Sequence, residues 1–253
     1  MPSIRRYPCC PTWPHLVLFR TLMSSDHQPL PRVSFRDLPR RYGGASAEER
    51  KQQRRERLLD AAFEVFGRKG YKETTLRLIC AQARMTDRYF YEHFESLDAI
   101  FLQVRQRLAT ELMERLLQAS ARPEPDPVLL IRHALTAFFE YVKEDPRRAR
   151  VLLLDAMSFG LTSTEVAETR LNWYAQLIGG RLKARYPNLP PQLDFQLVAS
   201  GFLGQVTYVA TVWTLRKFDT PVDQMVDHAS YAWMGLHHWL ADYDASVPIR
   251  SAG

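Results

Sequence analysis

The chain has 253 residues, 46% of them apolar, three cysteines and a formal net charge of +6. No run approaches the roughly 20 apolar residues of a membrane-spanning helix, and three cysteines make no disulfide framework, so both of those classes are excluded and the cytoplasm is the expected compartment. The length fits two compact units, one small and one of ordinary domain size.

Charge is unevenly divided. Residues 1–95 hold 18 Lys and Arg against 11 Asp and Glu, a net of +7, whereas residues 96–253 hold 16 against 17, a net of −1. A basic head on a neutral body points to a polyanionic partner, and no aromatic-rich RNA-binding strand motif is visible. Affinity for that partner should fall steeply with salt, as phosphate neutralisation dictates.

Residues 1–47 carry many prolines, several arginines (Arg32, Arg36, Arg40 and Arg41 among them) and few periodic apolar positions. They read as a disordered tail rather than a DNA-contacting arm. The apolar run 16–19 is too short for a signal peptide, and Met23 is a candidate true start, which would make 1–22 an artefact of a mis-called start.

The first predicted helix covers 48–69. Leu58, Leu59, Ala62, Phe63, Val65 and Phe66 recur at helical spacing, with Arg50, Lys51, Arg54, Arg55 and Arg57 crowding the start and Gly70 as the stop. Residues 74–94 then read as two short helices with a tight turn. Thr74 or Thr75 caps the first through its hydroxyl, and Leu76, Ile79, Cys80 and Ala83 form one apolar stripe. Arg84 and Met85 make the turn, and Thr86 is expected to cap the second helix, 86–93. Phe90 and Phe94, four apart, must face inward, which turns Asp87, Arg88, Tyr89, Tyr91, Glu92 and His93 outward. A helix-turn-helix presents side chains to a major groove in this way. Ser96 caps a fourth helix, 96–118, with Asp98 in its first turn. Cys80, on an apolar face, reads as a structural thiol rather than a redox sensor.

The order Leu-Leu-Asp-Ala-Ala-Phe-Glu-Val-Phe-Gly-Arg-Lys-Gly-Tyr at 58–71, Thr-Thr at 74–75, Phe-Tyr-Glu-His-Phe at 90–94, then Ser96 and Ala99, resembles the tetracycline-repressor (TetR) family over about residues 50–105. The resemblance implies a three-helix DNA-binding domain at 48–111, with the motif at 74–93, followed by an effector-binding and dimerisation domain at 112–245 and a tail at 246–253. It implies DNA contacts by Thr75 and Arg77 from the first motif helix. Thr86, Asp87, Arg88, Tyr89, Tyr91 and His93 follow from the recognition helix, and Arg54 adds a basic contact from the helix before. Three positions depart from the family pattern. Arg84 stands where glycine is usual, Asp87 where lysine or a neutral residue is common, and Leu97 where a phosphate-touching lysine is frequent.

The second half is helical throughout, with candidates at 127–144, 147–159, 163–186, 192–217 and 222–241 punctuated by prolines. Phe138, Phe139, Met157, Trp173, Phe202, Tyr208 and Trp213 are the candidates for an apolar effector pocket, the usual form of a small-molecule site. Each alone reads more readily as core. Arg147, Arg148 and Arg150 read as a solvated face. Helices 192–217 and 222–241 suit pairing with a second copy in a four-helix bundle. No phosphate loop, nucleophile elbow or metal-spaced cysteine pair is present, and the adjacent His237 and His238 poorly suit one metal.

The expected protein is therefore all-α: an N-terminal three-helix helix-turn-helix domain plus a larger C-terminal helical domain. It is not an enzyme, and no cofactor, metal or membrane is expected. It is a homodimeric repressor on a double-stranded DNA operator, released by a small apolar effector such as a fatty-acid derivative. Two other readings stay open: an activator on the same scaffold, and a lipid-binding protein or enzyme that has lost DNA binding.

Overall fold

The computed structural model describes residues 46–121, 126–155, 179–180, 182–186, 188–190 and 192–246. The expected N-terminal tail, the C-terminal tail beyond 246 and most of the expected helix 163–186 lie outside them. Every element among the described residues is helical: α1 (Ala47–Lys69), α2 (Leu76–Ala83), α3 (Asp87–Tyr91), α4 (Leu97–Ser120), α5 (Pro127–Glu144) and α6 (Pro146–Ala149), then α7 (Phe195–Leu215) and α8 (Val222–Ser246). Between α6 and Asp155 the chain makes one π-helical turn, Arg150–Leu154.

Local chemistry sets the boundaries. Ser46 and Glu49 form a reciprocal capping box at the start of α1. Gly70, at φ 85°, ends that helix in a conformation that other residues rarely adopt. Thr75 caps α2 by accepting from Leu78 N–H at 3.3 Å, and Ser96 caps α4 by accepting from Ala99 N–H at 3.0 Å. Thr86 occupies the N-cap position of α3, but its side chain makes no capping bond, contrary to the sequence expectation. The hydroxyl of a five-residue helix has little to gain there, because Asp87 already supplies a carboxylate to the first turn.

Two apolar clusters organise the molecule. The first packs Leu58, Phe66, Ile79, Cys80, Phe90, Phe94, Ile100 and Phe101 from α1 to α4, and Val151 of the π-turn joins it. The second packs Leu135, Phe139, Tyr141 and Val142 of α5 with Leu153, Trp213 and Met225. At 24 residues α4 is about 36 Å long at 1.5 Å per residue, long enough to serve both. Tyr141 fixes α5 to α4: its hydroxyl donates to Leu108 O at 3.0 Å and lies 3.1 Å from Glu111 Oε2.

Arg147, Arg148 and Arg150 are not the solvated face that the sequence suggests. Arg147 pairs with Glu64 of α1 and with Asp145, and its guanidinium lies 4.9 Å from the Phe63 ring. Arg148 stacks 4.2 Å from the Tyr141 ring and pairs with Glu144 at 3.1 Å. Arg150 reaches the end of α1 beside Gly70. Arginine does this readily, since its planar, weakly hydrated fork stacks and pairs in one arrangement.

Candidate nucleic-acid interface and ligand cavity

The helix-turn-helix closes through a Schellman arrangement. Met85 N–H donates to Cys80 O at 2.9 Å and Arg84 N–H to Ala81 O at 3.1 Å, with Arg84 left-handed at φ 54°. Arg57, from α1, donates to Ala83 O at 2.9 Å and satisfies another carbonyl at that helix end. The turn therefore stands without glycine, at the cost of a strained arginine. Burial, then Asp87, pushes the Cys80 thiol up to about 11, which keeps it protonated and unreactive.

Phe90 is fully buried and Phe94 nearly so, their rings 5.7 Å apart. That pair fixes the roll of α3 and leaves Thr86, Asp87, Arg88, Tyr89 and Tyr91 exposed, with Tyr91 63% accessible. Thr75 and Arg77 are exposed on α2 beside them. Arg88 pairs loosely with Glu92 at 3.4 Å and keeps most of its side chain in water. Arg54 is half-buried, its guanidinium 5.2 Å from the Tyr89 ring centre, which links α1 to the outward face of α3. His93 is half-buried. Burial first, then the Arg54 cation, holds its imidazole below the ordinary histidine range, with Lys51 and Arg55 adding and Glu92 opposing. Seven of the nine sequence-selected residues are thus exposed on α2 and α3 or at their N-caps, and Arg54 and His93 are half-buried, Arg54 against Tyr89. Such a surface can hold phosphates by charge and reach base edges from a single helix.

A cavity of about 590 Å³ opens beyond α4. Leu112, Met113 and Leu116 of α4, Ile131 and Phe138 of α5, Phe202 of α7 and Trp233 of α8 supply apolar walls. Phe202 and Trp233 stack at 3.8 Å. Leu152 and Leu153 of the π-turn line it too, so the turn touches the cavity and the first core at once.

Of the residues selected for a pocket, Phe138 and Phe202 line this space. Phe139 and Trp213 are instead core, packed edge to face at 5.6 Å, with the Trp213 indole N–H donating to Thr220 O at 2.9 Å. Tyr208 projects from the outer face of α7 and is 66% exposed. Met157 and Trp173 lie outside the described residues. Helical period identifies an apolar face but not which of two apolar surroundings it meets, and α7 is apolar on more than one side. Polar groups on the cavity wall include Arg105, Gln106, Arg185 and His237, which the sequence reading did not assign to a pocket because they share no motif.

Residues 58–104 match the family model described as bacterial regulatory proteins of the tetR family. Over 100 residues the chain is 33% identical to the HTH-type transcriptional activator FasR of Mycolicibacterium smegmatis, covering 40% of this chain and 45% of that one. It is 31% identical to the HTH-type transcriptional repressor BepR of Brucella suis biovar 1, covering 40% and 48%. The match thus spans about half the length of these curated relatives. A TetR-like transcriptional regulator from Rhodococcus sp. RHA1 superposes with a TM-score of 0.57 at 28% identity, over 73% of this chain and 96% of that one. The head of the chain thus matches the tetR family of bacterial regulatory proteins in sequence, and the chain is similar in fold to a TetR-like regulator over most of its length.

Proposed function

We propose that the protein is a ligand-responsive, DNA-binding transcriptional regulator, acting as a cytoplasmic homodimer. In this reading it is a repressor released from a palindromic operator by a small apolar molecule. The observation that carries the reading is the exposed basic and aromatic face of α3, held by the buried Phe90 and Phe94 and flanked by Arg54 and Arg77. Its DNA contacts are Arg54, Thr75, Arg77, Thr86, Asp87, Arg88, Tyr89, Tyr91 and His93.

The dimer is supported by an uncovered apolar surface on the last two helices. Leu197, Tyr208 and Leu215 on α7, and Tyr231 and Trp239 on α8, are exposed. A Cβ placed on Gly201, Gly204 or Gly235 would meet no atom within 4 Å. A patch of that kind marks an association site, and a second copy is the partner that gives a reader two half-sites. No described helix is long and apolar enough to cross a membrane.

The cavity lies in the size range of small-molecule sites and is walled mainly by aliphatic and aromatic groups, which suits an apolar effector such as a fatty-acid derivative. Coupling runs through the π-turn. An effector against Leu152 and Leu153 pushes on the turn whose Val151 packs into the head. Single π-turns recur at functional sites because they break an otherwise rigid ladder. The effector weakens DNA binding only by its preference for the non-binding state.

An activator is the second reading, favoured by the likeness to FasR. Transcript levels of neighbouring genes after deletion distinguish the two: they rise for a repressor and fall for an activator. The reading as a whole is tested by passing fragmented DNA of the source genome over the immobilised protein. Retention of a discrete, two-fold symmetric sequence is expected. Failure to retain any sequence would instead favour a lipid carrier or enzyme on the same scaffold.

A further inference from the structure

The start of α1 and the end of α3 bring together more positive charge than they neutralise. Lys51 and, one turn on, Arg54 and Arg55 come from α1, and His93 follows α3. Arg54 lies 5.2 Å from the Tyr89 ring. Arg55 lies 5.4 Å from the Phe94 ring, whose centre is 6.4 Å from that of His93. Arg55 is also held by Gln103 of α4 at 3.1 Å and Glu56 at 3.7 Å. Among the described residues Glu92 is the carboxylate acting on the imidazole, and it is drawn toward Arg88.

Two buried nitrogens at the centre of this cluster have no hydrogen-bond partner among the described residues: Nε of Arg54 and Nε2 of His93. Buried polar atoms are nearly always paired, so a pair of orphans ringed by cations marks a site whose partner comes from outside. The missing partner is an anion. In its absence burial and the α1 cations hold His93 neutral. An anion seated among them cancels that repulsion and stabilises the imidazolium.

We propose, resting on the DNA-binding reading, that a backbone phosphate of DNA docks against Lys51, Arg54 and Arg55 and draws a proton from solvent onto His93, so that each subunit takes up a proton as it binds. The sign follows from linkage. Binding raises the proton affinity of His93, so DNA affinity grows as pH falls through the bound-state value and levels off below the free-state value. The slope is bounded at tenfold per pH unit per subunit, one proton each. Phosphate contacts carry no sequence information, so the effect belongs to any duplex.

The test is an anisotropy titration of the full chain with a fluorescein-labelled, mixed-sequence duplex of about 30 base pairs. It is run at constant ionic strength between about pH 5.5 and about pH 8, the range in which histidine titrates. Wild-type affinity is expected to rise roughly 3- to 10-fold per pH unit per subunit toward acid. His93→Gln, whatever its absolute affinity, is expected to show a slope shallower by up to one proton per subunit, a difference from which any share of the other six histidines cancels. Calorimetry of the wild type in two buffers of different ionisation enthalpy reads the same proton directly and needs no variant. Equal slopes for wild type and His93→Gln, or identical heats in the two buffers, overturn the proposal while leaving the DNA-binding reading intact. A chain that binds no duplex at any pH removes the reading and this proposal with it.

Discussion

The backbone N–H of Tyr71 donates to Oδ2 of Asp155 at 3.0 Å, across 84 residues of sequence. Tyr71 belongs to the head: its ring lies 4.7 Å from Phe101, and its hydroxyl bonds Asp98 at the start of α4. Asp155 directly follows the π-turn that walls the cavity. One hydrogen bond therefore joins the head, beside the start of α4, to the turn that an effector would press.

Asp155 is 9% exposed, and burial holds its carboxyl above the ordinary range despite the Tyr71 N–H and Arg150. A carboxyl raised on folding costs stability when ionised, and the loss is recovered as pH falls through the folded value. Asp155→Asn keeps an acceptor and drops the charge. It should match or exceed the wild type near neutral pH, with the difference shrinking toward acid. Asp155→Ala leaves a buried N–H unpaired and should cost about 1–3 kcal/mol. Urea unfolding across pH measures both.

A Cβ on Gly67 would fall 2.4 Å from Arg147 Cβ and 3.2 Å from its Cα. In a plain helix Gly→Ala gains roughly 0.5–1 kcal/mol. Overpacking costs about 1–3 kcal/mol, and Arg147 is pinned by Glu64 and Asp145, so the clash should win. Gly67→Ala is expected to lower stability, by up to about 2.5 kcal/mol as the difference of those terms. Adding Arg147→Gly, which removes the clashing Cβ, should recover part of the loss, which a double-mutant cycle reads.

Arg84→Gly should stabilise the head. Left-handed geometry costs a non-glycine residue about 1–2 kcal/mol, against roughly 0.5–1 kcal/mol of extra chain entropy for glycine. The net gain of a few tenths to about 1 kcal/mol should appear as a higher melting temperature. Arg84→Ala, which keeps the strain, should show none.

The head was legible in sequence because its contacts are local. The stripe Leu76, Ile79, Cys80 and Ala83, the pair Phe90 and Phe94, and the caps Thr75 and Ser96 all act within a few residues. Even the left-handed Arg84 was visible as a residue out of place. The joint between head and body was not legible. Arg147 meets Glu64 across 83 positions, and no periodicity marks an arginine as a fastener rather than a solvated charge. The cavity was half legible for a related reason. Phe138 faces space and its neighbour Phe139 faces core, a difference that only the packing of α4, α7 and α8 decides.

Ala134 lines the cavity from α5. Ala134→Phe should fill the space without touching the DNA-facing surface. Binding of the apolar dye 1-anilinonaphthalene-8-sulfonate should weaken by roughly tenfold, about 1.4 kcal/mol of lost contact. DNA affinity should stay as in the wild type. Dye binding unchanged by the substitution would place the apolar site elsewhere.

The most direct measurement is an anisotropy titration of DNA from upstream of the protein's own gene with wild type and with Tyr91→Ala combined with His93→Ala. The account predicts wild-type binding that weakens steeply with added salt and a double variant that remains folded by circular dichroism yet binds at least roughly tenfold more weakly. Equal affinity of the two proteins would contradict the assignment of α3 as the DNA-reading helix.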